Sequence, residues 1–156
     1  MMQKNNMEIC IAKETDIPAI AELEKMCFSA PWSEKAILDT MSGENAIFLV
    51  AKEDDAVCGY IGSYFVLDEG YITNVAVNPD FRRRGIGRAL AEKLIEEGKE
   101  KKLSFWTLEV RESNFGAIAL YSSLGFENVG KRPRFYSNPV ESAVLMTCYI
   151  GKEREN

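Results

Sequence analysis

The sequence contains no histidine, and its four cysteines, Cys10, Cys27, Cys58 and Cys148, are scattered without a CxxC pair. A zinc site built from Cys and His is therefore not expected, nor is a cysteine nucleophile activated by an imidazole. All four cysteines read as reduced filler, and no metal is expected. Long apolar runs are missing as well. Those present, such as Ala46 to Ala51 and Ala143 to Met146, fall far short of the ~18 residues that a membrane span requires. Surplus positive charge is absent: the formal net charge is −5, which argues against a dedicated nucleic-acid binder. Met1 to Met7 lack the cationic and apolar regions of an export signal, so a cytoplasmic protein is expected. No internal repeat, low-complexity segment or linker interrupts the chain.

What remains, 156 residues of which 46% are hydrophobic, fits one globular domain able to bury about two-thirds of its unfolded surface. We place that domain at residues 8–150, with a flexible N-terminal tail over 1–7 and a polar C-terminal tail over 151–156. Glu8 to Ala12 reads as a strand. Thr15 and Asp16 offer N-cap chemistry to a helix from Ile17 to Phe28, whose apolar stripe is Ile17, Ile20, Ala21, Leu23 and Met26. Pro31 breaks that helix, and Ser33 caps a second one that runs to Met41. Three strands, Ile47 to Lys52, Ala56 to Phe65 and Gly70 to Val77, read as an antiparallel meander turning first at Glu53-Asp54-Asp55. A helix from Gly85 to Lys101 follows. The strand from Ser104 to Val110 is apolar on both alternating sets, as in a central strand covered on both faces. A helix from Asn114 to Leu124 and two strands, Phe126 to Lys131 and Ala143 to Ile150, complete the order. A loop carrying Pro133, Tyr136 and Pro139 joins the last two.

The positive charge is unevenly placed. Arg82, Arg83, Arg84 and Arg88 cluster around Gly85, Ile86 and Gly87, between a strand end and a helix start. Free backbone N–H groups and the helix dipole favour an anion there, and glycine lets a ligand approach the backbone closely. The loop suits a pyrophosphate, but a solvated basic turn would have the same composition. Leu90 stands where a Rossmann fingerprint needs its third small residue, and no Walker Gly-Lys-Ser/Thr follows.

The loop has the form Arg-x-x-Gly-x-Gly, here Arg82, Gly85 and Gly87, directly after a strand ending Val75-Ala76-Val77 and the pair Asn78-Pro79. This resembles the acetyl-CoA-binding motif of the GNAT acetyltransferase superfamily, and the order of elements over residues 8–150 is similar to that superfamily's. Downstream, Leu108 to Asn114, Ala117 to Tyr121 and Leu124-Gly125-Phe126 carry a narrower match. With Pro31-Trp32-Ser33, Arg134-Phe135-Tyr136 and the stretch from Pro139 to Met146, they resemble the ribosomal-protein-alanine N-acetyltransferase family. Those enzymes acetylate the N-terminal alanine of the eighteenth small-subunit ribosomal protein.

The resemblance implies an α/β (α+β) fold: a mixed, mostly antiparallel twisted sheet of about seven strands with about four helices, splayed at the cofactor site. It implies acetyl-CoA as co-substrate. Val75, Ala76 and Val77 would offer backbone groups to the pantetheine arm, while Arg82, Arg83, Arg84, Gly85, Ile86, Gly87 and Arg88 would hold the pyrophosphate. The residue matching Asn114 contacts coenzyme A in the family, and Glu109 matches its proton acceptor. A soluble monomer or weak dimer acting on a basic ribosomal protein, with no nucleic-acid or membrane partner, is the corresponding expectation.

The residues themselves carry part of that reading. A peptide α-amine, with a pKa near ~8, needs only a modest base, and without histidine a carboxylate is the natural one. Glu109 ends an apolar strand where partial burial would raise its pKa. The alternative is that it merely pairs with Arg111 or with an arginine of another strand. Tyr121 is the candidate acid for the departing thiolate, or else an ordinary core residue. Asn114 and Tyr121, seven residues apart, share one helix face at a separation of ~10 Å; Asn114 alone also reads as an N-cap. The acceptor is expected between the Phe28 to Ser33 turn, with Phe28 and Trp32, and the loop from Lys131 to Val140. Tyr136 would shape a slot there and Glu141 would favour the peptide's positive charge. A Pro-bounded hairpin with surface aromatics is the plainer possibility. A sequence pI near 5.0 suits a basic acceptor without selecting it over a polyamine or aminoglycoside.

Overall fold

The computed structural model describes residues 7–150. Apart from Met7, the expected tails at 1–7 and 151–156 lie outside the described residues. Within them the chain divides into two compact units, one of residues 7–64 and 74–94, the other of residues 65–73 and 95–150.

The first unit holds β1 (Met7–Ile11), α1 (Ile17–Cys27), α2 (Glu34–Met41), β2 (Ala46–Glu53), most of β3 (Ala56–Val66), the end of β4 (Glu69–Val77) and the start of α3 (Ile86–Glu100). Strands β1, β2 and β3 pair antiparallel, and β2 turns into β3 at Asp54 and Asp55, both at positive φ. Two successive left-handed residues give a turn whose twist matches the flanking strands. Ile20, Leu23, Ile37, Phe48, Val50 and Tyr60 form its core, with the Phe48 and Tyr60 rings stacked at 6.2 Å.

Ser33 caps α2 as expected, its hydroxyl accepting the Ala36 N–H at 3.1 Å. Asp16 behaves differently. Its carboxylate accepts the Lys13 N–H at 2.8 Å and meets Lys52 at 3.1 Å, closing a 3-10 turn over Glu14–Asp16 instead of capping α1 with its side chain. The stripe of α1 also needs correction, because Met26 is half exposed whereas Glu24 is fully buried. Seven residues after Ile17 and four after Ile20, Glu24 lies at the centre of the helix's inner face; Met26 falls on the opposite side.

The second unit holds the start of β4, the end of α3, β5 (Phe105–Arg111), α4 (Phe115–Ser123), β6 (Glu127–Tyr136) and β7 (Glu141–Tyr149). Strand β5 runs parallel to β4 over Glu69–Tyr71 and antiparallel to β7, which pairs antiparallel with β6. The hydrogen-bonded order is β1-β2-β3-β4-β5-β7-β6. Trp106 is fully buried, and a Cβ on Gly70 would stand 2.4 Å from its ring, so only glycine fits opposite the indole.

Two expectations fail in this unit. Trp106, Leu108 and Val110 are buried, but the alternate residues Phe105, Thr107 and Arg111 are half-buried and Glu109 is exposed, so β5 is fully covered on one face and only partly on the other. The loop placed from Lys131 to Val140 is largely strand, since β6 continues to Tyr136. Pro133 lacks an N–H, yet β6 ends the sheet order and its register shifts between Arg132 and Tyr136. An edge strand with a bulge accommodates the proline there.

Candidate active site

In the first unit, Val77 ends β4, a 3-10 turn spans Pro79–Phe81, and α3 starts at Ile86. The Asn78 side chain accepts the Asp80 N–H at 2.9 Å and starts that turn. Arg83 and Gly85 both take positive φ, 66° and 75°, which turns the chain into the helix. Apart from its chain neighbours, no atom of the described residues lies within 4 Å of where a Cβ on Gly85 would stand, so glycine serves the backbone conformation and leaves the approach open. The first N–H groups of α3, from Ile86, Gly87 and Arg88, have no carbonyl one turn earlier in the helix to bond. Donors of this kind, rimmed by exposed Arg82, Arg83 and Arg88, fit a diphosphate.

The four arginines are not equivalent. Arg84 holds Glu53 with Nη1 at 2.9 and 3.2 Å from the two carboxylate oxygens and lies 4.9 Å over the Phe81 ring, bracing the loop against β2. Arg88 reaches Glu92 at 4.0 Å. Arg82 lies 3.8 Å from the Cys27 Sγ, and the Cys27 thiol donates to the Val77 carbonyl at 3.4 Å. Cys27 thereby ties the end of α1 to both the strand end and the loop. Ala76 is buried, with Val75 and Val77 half-buried beside it.

Sequence reasoning missed the centre of this unit. The Glu24 carboxylate, wholly buried, accepts the Trp32 backbone N–H at 2.9 Å, the Tyr60 hydroxyl at 2.5 Å and the Asn74 amide at 2.8 Å. Burial, reinforced by the Glu24 carboxylate, pushes the Tyr60 phenol far up, so it stays a donor. The network pins the turn carrying Phe28 and Trp32 to β3 and to β4 one residue before Val75. Trp32 packs partly buried against the core, and Phe28 is more exposed. A glutamate in the middle of an apolar helical stripe was the available signal.

In the second unit, Glu109 stands on the less covered face of β5. The residue as a whole is exposed although its side chain is only 31% exposed, and its ion pair among the described residues is long, 3.9 Å to Arg132 Nε on β6. The nearby charge is felt by Tyr136: burial first and then the Glu109 carboxylate push that phenol up, while Arg111 opposes them. Arg111, two residues beyond Glu109, lies 4.5 Å over the Tyr136 ring and meets Glu141 at 3.2 Å. The second Glu141 oxygen accepts the Ser113 N–H at 2.6 Å. Those two partners hold the Glu141 carboxyl below the ordinary carboxylate range, so the charge expected to attract a peptide is already matched within the fold. Glu109, Tyr136 and Glu141 are thus brought into one cluster with Arg111 and Arg132.

Asn114 and Tyr121 sit at opposite ends of α4. Asn114 is its N-cap, with Oδ1 accepting the Ala117 N–H at 3.2 Å. Tyr121 is buried edge-on against Phe126 at 5.4 Å, and burial pushes its phenol well up. Of the cysteines, Cys58 and Cys148 are buried thiols whose pKa burial raises, the opposite of an activated nucleophile.

In the first unit, a helix N-terminus of the kind that binds a diphosphate, placed directly after a strand end, fits a transferase whose acyl carrier bears that group. The model of the family described as "Acetyltransferase (GNAT) family" matches residues 17–126, and the chain belongs to that family. The [ribosomal protein bS18]-alanine N-acetyltransferase of Salmonella typhimurium is 41% identical over 145 residues, 92% of this chain and 97% of that one. The crystal structure of the ribosomal-protein-S18-alanine N-acetyltransferase from Escherichia coli matches with a TM-score of 0.89 at 36% identity, covering 97% of this chain and 98% of that one. The structure of yncA from Salmonella typhimurium "with its cofactor Acetyl-CoA" shares the fold, with a TM-score of 0.83 at 20% identity over 97% and 98% of the two chains.

Proposed function

We propose that this protein transfers acetyl from acetyl-CoA to the N-terminal alanine α-amine of ribosomal protein bS18, as a cytoplasmic enzyme active as a monomer or weak dimer. The observation that carries the reading is the 41% identity to an enzyme of that name across nearly the whole of both chains. No described helix is long and apolar enough to cross a membrane. The acidic chain suits a basic protein acceptor better than it suits nucleic acid.

Acetyl-CoA supplies the activated acyl group as a thioester. The N–H groups at Gly85 to Arg88, with Arg82 and Arg83, hold its diphosphate, and Arg84 braces the loop. Val75, Ala76 and Val77 offer backbone groups to the pantetheine arm, and Asn114 contributes a side-chain amide. Glu109 takes the proton from the acceptor's ammonium at its Oε atoms, directly or through water, which frees the nitrogen lone pair for attack. Tyr121 keeps its proton because burial raises its pKa, so its hydroxyl can hydrogen-bond the departing sulfur. Phe28 and Trp32 in the first unit, and Tyr136 and Glu141 in the second, are the acceptor-side residues.

Intact-mass spectrometry after incubation with acetyl-CoA tests the reading, using an Ala-initiated bS18 N-terminal peptide, its α-amine-blocked copy and spermidine. One acetyl on the free peptide alone is expected. Acetylation of spermidine alone would move the function to small amines, and saturable acetyl-CoA binding without any product would make the protein a sensor of its cofactor.

A further inference from the structure

The strands β6 and β7 pair well up to Arg132, but the end of their hairpin has little of its own to hold it. Its tip, Ser137 to Val140, is exposed, and the register of the two strands breaks between Arg132 and Tyr136 before the final pair Tyr136–Glu141. One side chain from outside the hairpin spans it. Arg111 donates from Nη1 to the Pro139 carbonyl at 3.0 Å and to Glu141 Oε1 at 3.2 Å, and from Nη2 to the Ser137 carbonyl at 3.1 Å. Its guanidinium plane covers the Tyr136 ring at 4.5 Å. Backbone contacts anchor the same residue: its carbonyl accepts the Asn114 N–H at 2.9 Å at the start of α4, and Glu112 N–H bonds the Ser142 carbonyl at 3.1 Å.

We propose that Arg111 is the positioning residue of the acceptor side, a latch that holds the Ser137–Val140 turn and the Tyr136 ring at a fixed place beside Glu109. The inference rests on the reading of Glu109 as base and Tyr136 as an acceptor-side residue. A planar, always charged fork suits the task in a way an ammonium does not, because it meets two diverging carbonyls and a carboxylate while stacking on an aromatic face. Glu141 is the second half of the latch. It binds Arg111 with one oxygen and the Ser113 N–H with the other, so the hairpin is tied to the segment that runs from Glu109 into α4. The two residues therefore act on the acceptor through Tyr136, and neither needs to touch it.

A mutant cycle on the full-length enzyme tests this. Arg111→Met, Tyr136→Ala and the double variant are compared for peptide KM, kcat, acetyl-CoA Kd and melting temperature. Arg111→Met is expected to raise the peptide KM about tenfold while acetyl-CoA Kd stays within about twofold. The double variant should be no worse than the poorer single, since both changes break one device. Arg111→Lys, which keeps the charge and loses the fork, should recover part of the loss, and it replaces Arg111→Met in the cycle if that variant does not fold. Additive penalties in the double variant, or a wild-type peptide KM for Arg111→Lys and Arg111→Met alike, would overturn the latch and leave the acceptor reading intact. A wild-type peptide KM for Tyr136→Ala would overturn both.

Discussion

The two units each present one conspicuous glutamate, and their surroundings are opposite. Glu24 is sealed in the first unit with three donors on its carboxylate, from Trp32, Tyr60 and Asn74. Glu109 lies on the less covered face of β5 in the second, and among the described residues its contact is a loose one, 3.9 Å to Arg132. A carboxylate whose acceptor sites are filled by short hydrogen bonds cannot accept a substrate's proton without losing them, so it serves as a structural staple. One left unsaturated beside solvent can exchange a partner for an incoming ammonium. Under the proposed role of Glu109, burial alone would single out the other glutamate, the one whose carboxylate is filled by donors of the fold.

Replacing each glutamate in turn gives the sharpest way to break this contrast. Glu109→Gln keeps the shape and removes the base, and kcat for the Ala-initiated peptide should fall by about 10²- to 10⁴-fold while acetyl-CoA affinity and melting temperature barely move. A wild-type kcat would transfer the base role elsewhere. Glu24→Ala should do the reverse in kind: the three donors lose their acceptor and urea unfolding should show a loss of about 2–4 kcal/mol. A large fall in kcat at unchanged stability would mean that Glu24 acts in the chemistry after all.

How far the sequence could be read follows the same division. Local rules found what local chemistry dictates: Ser33 and Asn114 are caps because a short polar side chain before a helix satisfies an orphan N–H. The arginine-rich loop sits at the start of α3 for equally local reasons. What eluded it was set by tertiary partners. Glu24 is tolerated in an apolar stripe only because Trp32, Tyr60 and Asn74, distant in sequence, converge on it. Pro133 reads as a loop until β6 is known to be a bulged edge strand. Glu109 looked half-buried because β5 alternates apolar residues on both sides, yet Thr107, Glu109 and Arg111 share a face that no element fully covers. Glu141 reads as a free charge because nothing local reveals its match with Arg111.

Within the arginine loop the contrast repeats at lower energy. Arg84 is engaged by Glu53, whose side chain is 10% exposed, while Arg83 is exposed at positive φ on the loop's crest. Arg84→Ala should cost about 0.5–1 kcal/mol of stability, as expected for a partly exposed pair, and change acetyl-CoA affinity only indirectly. Arg83→Ala should leave stability alone and weaken acetyl-CoA binding several-fold, an effect that calorimetric titration would detect and that added salt should shrink. Equal effects of the two substitutions on both measurements would erase the distinction between brace and ligand.

The smallest expected effect concerns acid stability of the latch. The Ser113 N–H and Arg111 hold the folded Glu141 carboxyl below its ordinary value of 4.5. A carboxyl with a depressed folded pKa binds its proton more readily when unfolded. It therefore contributes stability above the unfolded value, and that contribution is lost as pH falls from there through the folded value. Wild-type melting temperature should thus decline below about pH 4.5 more steeply than that of Glu141→Gln, the two curves drawing together with increasing acidity. Parallel curves would show that the Arg111–Glu141 contact carries no charge-dependent stability. The hairpin would then depend on the carbonyl contacts of Arg111 and its stacking on Tyr136, neither of which titrates with Glu141.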